Sequence, residues 1–151
     1  MSVRDVLEIG HPVLASRAQA LDPAKIDTPE VQGWITDLID TMRACKGAGI
    51  AANQVGIPYR LFVVEVKDNP RYPYKPKIPL TVLINPSIEF LSDKTFVNNE
   101  GCLSVPNLRG DVERHLEVRV SGFDAHGRQQ SFEVRGYSAG TFQHEYDHLD
   151  G

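Results

Sequence analysis

The sequence is short of cysteine, of long apolar runs and of excess positive charge, and each shortage narrows the class of protein. Two cysteines in 151 residues allow at most one disulfide, so we expect reduced thiols in a cytosolic setting. No apolar run approaches the roughly 20 residues that span a bilayer, and the first residues lack the apolar segment of a signal peptide. A net charge of −4 argues against a general nucleic-acid binder, which normally carries a basic stripe. We therefore expect neither membrane association nor direct contact with nucleic acid.

What the sequence does contain is typical of one globular domain. The chain is 41% apolar and 24% charged, and residues 1–151 are numerous enough to bury a core without disulfides. Strand-like stretches precede a terminal helix without regular β-α-β alternation. This order predicts an α+β fold with mainly antiparallel sheets around the C-terminal helix, and one further long helix near the N-terminus.

Helix signals mark the two predicted helices. Residues 28–30 (TPE) combine a capping hydroxyl, a proline at the first helical position and an acid in the first turn. Apolar residues then recur at steps of three and four as far as Met42, and residues 46–47 (KG) carry termination signals. The second helix is predicted to begin near residue 138 and to extend to the end of the chain.

Strand signals lie between the two helices. Alternating or β-branched stretches predict strands at residues 59–66, 81–84, 88–91, 117–123 and 130–134. An Asn-Pro pair at 85–86 is expected to interrupt the second and third of these, because proline cannot donate to a ladder. Residues 68–79 hold four prolines and are predicted to form a surface loop.

The last nine residues contain H-E-x-x-H. On a helix, His144 and His148 would share a face, so that both imidazoles could bind one metal ion while Glu145 reaches a water on that ion. The alternative is a surface helix in which these residues fall at that spacing by chance.

The third protein ligand of such a site has to come from upstream of the motif. Three residues follow His148, and Asp150 at i+2 points to another side of a helix. Cys102, which follows a glycine and is stiffened by Pro106, is a candidate. The alternative, that Cys102 and Cys45 are both buried small apolar residues, stays open from chemistry alone.

Three segments together resemble a known family. GAGIAANQ (residues 47–54), EGCLS (100–104) and QHEYDH (143–148) occur in the order of the three signature motifs of the peptide deformylases. GHPVL (10–14) also resembles the N-terminal segment of that family. By itself, the first segment is equally well explained as a helix-to-strand connection. The resemblance implies an enzyme that removes the formyl group from N-formylmethionine at the start of newly made polypeptides.

The resemblance also implies a role for each matching residue. The implied metal ligands are Cys102, His144 and His148. Glu145 would be the general acid and base, while the side chain of Gln54 and the backbone N–H of Leu103 would bind the oxyanion. Glu100 would support the site without binding the metal.

The substrate would lie as an extended peptide beside the first motif. Small residues there let another backbone approach and pair by strand addition, with the methionine side chain in an apolar pocket. The residues implied in substrate binding are Gly47, Gly49, Ile50, Arg109 and Tyr137.

The resemblance further implies the cofactor and the cellular setting. Fe²⁺ would be the physiological ion, one per chain, with Zn²⁺, Ni²⁺ or Co²⁺ as substitutes because mixed sulfur and nitrogen ligands suit all four. The partners would be nascent formylated polypeptides, met at the ribosome by a monomeric enzyme. The expected location is the cytoplasm of a bacterial or phage-infected cell, with an organellar stroma or matrix as second choice.

Some positions depart from the family pattern. Asn53 stands where the family often has proline, and Asn107 where glycine is common. Many members also continue beyond the position of Gly151, so the chain is expected to be either a naturally short form or a truncated one. Its last helix would then depend on packing or on the metal to avoid fraying.

Two rival functions remain at this stage. One is a metal-dependent hydrolase of other amides, such as a peptidase. The other is a non-enzymatic metal domain or peptide-binding module, which would have no need of Glu145 or Gln54.

Overall fold

The computed structural model describes residues 3–8, 12, 17–67, 77–102 and 104–150, without the side chains of 105–108. Its helices are α1 (Pro29–Ala44) and α2 (Tyr137–Asp150). Its strands are β1 (Gly49–Ala51), β2 (Leu61–Val66), β3 (Ile78–Phe90), β4 (Thr95–Cys102), β5 (Val105–His115), β6 (Glu117–Phe123) and β7 (Gln129–Arg135). In the described part of the chain, neither helix is long and apolar enough to cross a membrane.

The strands form two antiparallel sheets. A five-stranded sheet has the order β1-β2-β3-β6-β7, and β4 pairs with β5 in a two-stranded sheet. This arrangement, with a long helix near the N-terminus and a second at the C-terminus, confirms the predicted α+β fold.

The two helices cover opposite faces of the larger sheet. Successive residues of a strand point to opposite faces, and β2 shows the consequence. Phe62 belongs to the buried cluster that contains Phe142 of α2, and their rings lie 6.2 Å apart. The next residue, Val63, belongs to a second cluster that contains Leu38 of α1. Full burial of each such side chain contributes about 1.5–3 kcal/mol, so both helices are held on the sheet by apolar packing.

Helix α1 begins as predicted and ends differently in detail. The hydroxyl of Thr28 accepts a hydrogen bond from the N–H of Val31, and Pro29 occupies the first helical position. At the other end, Lys46 rather than Gly47 adopts the left-handed conformation, with φ 54°. The helix therefore stops at the expected place, and of the two residues predicted as termination signals it is the lysine that adopts the left-handed turn.

Strand β3 runs continuously where two short strands were predicted. Asn85 has a φ of 52°, and the register to β6 shifts between Ile84 and Ser87. The Asn-Pro pair therefore produces a bulge instead of a break. The side chain of Asn85 stabilises it by accepting from the N–H of Leu21 and donating to the carbonyl of the same residue, at 2.8 and 2.7 Å.

Three strands that carry parts of the candidate site were not predicted as strands. Strand β1, which we had assigned to a connection, is the edge strand of the larger sheet. Strands β4 and β5 form the hairpin sheet that packs on α2. The proline-rich segment 68–79 was predicted as a loop; residues 78–79 belong to β3, and residues 68–76 lie outside the described part of the chain.

Candidate metal centre

The three predicted metal ligands lie together where α2 meets the end of β4. The Nε2 atoms of His144 and His148, one turn apart on the helix, are separated by 3.3 Å. The Sγ of Cys102, at the last position of β4, lies 3.2 Å from Nε2 of His148. One ligand atom from each residue lies within 4.8 Å of the other two. Cys45, at the C-terminal cap of α1, is not part of this group.

Gln143, the residue before the first histidine, fastens α2 to the hairpin sheet. Its Oε1 accepts a hydrogen bond from the N–H of His115, and its Nε2 donates to the carbonyl of the same residue, at 2.9 and 2.7 Å. The side chain therefore pairs with β5 backbone as a neighbouring strand would. Because His115 is the last residue of β5, this contact fixes the ligand-bearing turn of α2 against the hairpin. The sequence placed Gln143 at the start of the third motif, but its contact with β5 could not be predicted because that strand was not.

The carboxylate of Glu100 orients one of the imidazoles. Its Oε1 lies 2.8 Å from Nδ1 of His144, which leaves Nε2 of that ring for the cluster. Arg114 donates to both carboxylate oxygens, at 2.9 and 2.7 Å. Burial acts to raise the pKa of Glu100, but the hydrogen bonds from Arg114 and His144 outweigh it and lower the pKa to about 2. Glu100 is therefore a buried anion, as a supporting carboxylate has to be.

Arg114 was missed by the sequence reasoning. It also forms an ion pair with Asp147 on α2, and its carboxylate neighbours raise its pKa against the effect of burial. Arg114 lies fourteen residues from Glu100 along the chain, and the hairpin between them was not predicted. No local pattern could have identified the pair.

The thiol and the imidazoles of the cluster shift one another's pKa. Burial acts to raise the pKa of the Cys102 thiol, but hydrogen bonds to His144 and His148 outweigh it and lower the pKa to about 5. Burial likewise acts to lower the pKa of His144, and hydrogen bonds to Cys102 and Glu100 reverse this and raise it to about 10. The two shifts are largely mutual, because a thiolate and a protonated imidazole stabilise each other, and Glu100 adds to the shift of His144. A divalent metal ion would take the place of that imidazole proton, because a histidine ligand has to be neutral. A thiolate with two imidazoles is also a donor set that fits a borderline divalent metal ion.

Gln54 directs an amide N–H group at this cluster. Its Oε1 accepts from the N–H of Ala51 at 2.9 Å, which fixes the orientation of the amide. Its Nε2 consequently faces Sγ of Cys102 at 3.5 Å and the hydroxyl of Ser104 at 3.1 Å. Gln54 is 1% exposed, so this donor is held in a place that water reaches poorly.

Glu145 faces the same cavity from α2 and packs directly on β1. It is 4% exposed, and its Oε2 lies only 2.7 Å from the place where a Cβ on Gly49 would stand. A side chain at position 49 would therefore force this carboxylate to move. The cavity between the first motif, β4 and α2 is lined by Gly47, Ala48, Gly49, Gln54, Asn98, Glu100, Gly101, Cys102, Gly140, Thr141, His144 and Glu145.

The remaining residues singled out from the sequence lie at different distances from this cavity. Gly47 and Gly49 line it, whereas the side chain of Ile50 is fully buried in the core cluster beneath α1. Tyr137 is 41% exposed, with its ring edge-on to that of Phe96. Arg109 is exposed and donates to the side chain and the carbonyl of Asn99, at 2.6 and 2.8 Å. Leu103 lies outside the described residues.

Comparisons with known proteins agree with the resemblance seen in the motifs. The family model for polypeptide deformylases matches residues 3–151. Peptide deformylase 2 of Ralstonia nicotianae is 43% identical over 149 residues, which cover 99% of this chain and 83% of that protein. Peptide deformylase 1 of Bordetella pertussis is 42% identical over 149 residues, covering 99% and 84%.

Solved structures agree as well. The Met-Ala-Ser-bound crystal structure of a class I type b peptide deformylase from Acinetobacter baumannii matches this fold with a TM-score of 0.94 and 34% identity. The match covers 98% of this chain and 93% of that one. The chain therefore belongs to the polypeptide deformylase family, the metal-dependent hydrolases that remove the N-terminal formyl group from newly made polypeptides.

Proposed function

We propose that residues 1–151 form a single catalytic domain that deformylates N-formylmethionyl peptides at the cluster of Cys102, His144 and His148. The observation that carries this proposal is the meeting of three ligand atoms within 4.8 Å on a cavity that is also lined by Glu145 and Gln54. A purely structural metal site would need neither of these two side chains. The rival reading as a non-enzymatic metal domain leaves both of them unexplained.

The three ligands would hold one divalent ion, with Fe²⁺ as the physiological metal and Zn²⁺, Ni²⁺ or Co²⁺ as substitutes. When bound, such an ion lowers the pKa of a water towards about 7 and polarises the substrate's carbonyl oxygen. The chain's part is to set the ligands. Glu100 holds His144 by its Nδ1, and the last residues of β4 place Cys102 opposite the two imidazoles.

Glu145 is the residue that we assign to proton transfer. Its carboxylate lies on the cavity wall beside the ligands, held against Gly49. There it takes a proton from the attacking water and returns it to the departing amine nitrogen, a transfer of the kind that contributes about 10²–10⁴-fold to rate. Its low exposure keeps bulk water from competing for the same proton.

Gln54 is the residue that we assign to the developing oxyanion. The hydrogen bond from Ala51 to its Oε1 leaves the amide nitrogen as the group facing the cluster, where it donates to the substrate oxygen. One donor of this kind is typically worth about 2.7–4 kcal/mol in the transition state. The backbone N–H of Leu103 is proposed as the second donor.

The substrate is proposed to add as a strand beside β1. This strand is the edge of its sheet, and an edge presents unpaired backbone groups to an extended peptide. Gly47, Gly49 and the backbone of Ile50 would flank that peptide, with Arg109 and Tyr137 further out. The Acinetobacter baumannii enzyme, whose structure is bound to Met-Ala-Ser, supports a peptide that begins with methionine as the ligand.

The setting follows from the reaction. Formylated amino termini exist on nascent chains, so the proposed partner is a polypeptide emerging from the ribosome, met by a monomeric enzyme. The bacterial sources of the relatives support a bacterial cytoplasm as the place of action.

The test is formate release from formyl-Met-Ala peptides by the Fe²⁺- or Ni²⁺-loaded chain, measured alongside elemental analysis. Wild-type protein is expected to turn over. Glu145→Ala is expected to lose about 10²–10⁴-fold in kcat and to keep its metal, because Glu145 is not a ligand. Folded, metal-loaded wild-type protein that releases no formate would overturn the proposal and leave a binding module as the better reading.

A further inference from the structure

Asn98, a buried amide on β4, supports the carboxylate that orients His144. It is 1% exposed, and its Nδ2 donates to Oε2 of Glu100 at 2.9 Å. Residues two apart on a strand share a face, so Asn98 and Glu100 lie on the buried side of β4. Cys102 follows at the end of the strand, past an irregularity in the pairing with β5. The same strand therefore presents an amide, a supporting carboxylate and a candidate ligand.

The orientation of the Asn98 amide is determined by its partner. An ionised carboxylate can only accept hydrogen bonds, so the nitrogen of Asn98 has to face Glu100. Its Oδ1 is then left buried and finds no hydrogen-bond partner among the described residues. A buried acceptor without a partner is unfavourable, so the amide is held in this orientation by its bond to the Glu100 carboxylate.

Gly140 on α2 makes room for this amide. A Cβ at position 140 would lie 2.8 Å from Nδ2 of Asn98 and 3.3 Å from Cζ of Phe96. Glycine is unfavourable in a helix interior. Like the unpaired Oδ1 of Asn98, it is an unfavourable feature that allows the contact between Asn98 and Glu100. Both residues also line the cavity beside the ligands.

We propose that Asn98, with Gly140 opposite it, is a positioning residue for the metal ligand His144 and acts through Glu100. This inference rests on the proposed function. The two oxygens of Glu100 have separate tasks: Oε1 meets Nδ1 of His144, and Oε2 is held by Asn98 from within β4. Arg114 bonds both oxygens but is tied to Asp147, a residue exposed at the surface. Asn98 instead fixes the carboxylate relative to β4 itself, and hence relative to Cys102.

The test compares Asn98→Ala, Gly140→Ala and the double variant in the Co²⁺-loaded full chain. The readouts are the rate of metal release to a chelator and the visible spectrum of bound Co²⁺, which reports ligand geometry. Each single variant is expected to release metal about tenfold faster, since loss of a residue that supports a ligand typically costs about 10–100-fold in metal affinity. The double variant is expected to release it no faster than Asn98→Ala, because the added methyl group then meets no amide.

Val97→Ala provides the matched control. Val97 is the preceding residue on β4 and is 66% exposed, so its truncation is expected to leave metal release and the Co²⁺ spectrum unchanged. Circular dichroism of all four variants establishes whether each one is folded.

Three results would overturn the inference. The first is a folded Asn98→Ala variant that releases metal at the wild-type rate and has an unchanged Co²⁺ spectrum. Asn98 would then be merely structural, even if the variant melts at a lower temperature. The second is a double variant whose effect is the product of the two single effects. The third is a wild-type chain that binds no Co²⁺, which would overturn the proposed function as well. Normal binding and turnover by the wild type would limit either of the first two failures to the role of Asn98.

Discussion

Gly49→Ala is predicted to separate catalysis from metal binding. The added Cβ would stand 2.7 Å from Oε2 of Glu145, and 2.9 and 3.0 Å from Cγ and Cδ of the same side chain. Ordinary van der Waals contact begins at 3.4 Å, so the carboxylate would have to retreat by about 0.7 Å. Because Glu145 lines the cavity, its side chain can move away from the added Cβ into that space, and this movement takes the carboxylate out of its position.

The expected magnitude follows from that displacement. A misplacement approaching 1 Å in a reacting group costs about 10²-fold in rate, which corresponds to about 2.7 kcal/mol in the activation barrier. We therefore expect kcat for formate release to fall about 10²-fold. Metal content should stay at the wild-type level, because the three atoms nearest the added Cβ all belong to Glu145, which is not one of the proposed ligands.

The assay measures formate release at saturating formyl-Met-Ala together with metal per chain. Gly33→Ala is the matched control, since a Cβ at position 33 meets nothing within 4 Å. That glycine lies within α1, where alanine is expected to be neutral for activity and to add up to about 1 kcal/mol of stability. Full turnover by Gly49→Ala would refute the placement of Glu145. Loss of metal from it would refute the separation of the two roles.

Two further predictions concern the ligand assignment and the packing of α1. Cys102→Ser is expected to lose stoichiometric metal in elemental analysis while Cys45→Ser keeps it, and the reverse result would overturn the assignment. The pKa of Glu65 is lowered, chiefly by its hydrogen bonds from Arg43. Ionised Glu65 therefore stabilises the folded state above its ordinary pKa of 4.5. This stabilisation is lost as the pH falls through the lower pKa that Glu65 has in the folded state. Glu65→Gln should therefore lower the free energy of unfolding by about 1 kcal/mol at pH 7, measured by denaturant unfolding. The difference between variant and wild type should vanish in strong acid. A difference that persists there would exclude the ion pair as its cause.

The parts of the fold that the sequence predicted are those in which apolar residues face the core. Helix α1 has an apolar stripe at helical spacing, and β6 alternates with its inner residues buried. Strand β4 escaped prediction because its pattern is inverted. Asn98 and Glu100 are buried while Val97 is 66% exposed. A hydrophobic pattern would instead assign Val97 to the core and the two polar residues to the surface. Its inner face is polar because it supports the cluster.

The same inversion explains why motifs identified the candidate ligands and Glu100, whereas Arg114 and Gln143 were given no role. Helix α2 buries Thr141, Gln143 and Glu145, so its core-facing side is partly polar and its apolar stripe is weak. The spacing of the two histidines was local and could be recognised. The contacts of Glu100 to Arg114 and of Gln143 to His115 join distant segments, and they exist only once the β4–β5 hairpin is formed.

Asn53, which stands where the family often has proline, contacts the C-terminal end of α2. The last carbonyls of a helix have no partners within it, and fraying was the expected weakness of a ligand-bearing helix here. In the structure the side chain of Asn53 donates to the carbonyl of His148, and Arg60 donates to that of Leu149 at 2.9 Å. The N–H of Ala18 reaches the same carbonyl of Leu149 at 2.8 Å.

Proline at position 53 could make no such contact, because it has no side-chain donor. Asn53 therefore does more than alter the stiffness of its loop: it ties the segment that carries Gln54 to the backbone of His148. A displacement of the helix end would move the proposed oxyanion donor and a proposed metal ligand together. The end of α2 is thus held by side chains more than 85 residues away along the chain. Its stability depends on the tertiary structure and could not be predicted from the sequence of the last helix alone.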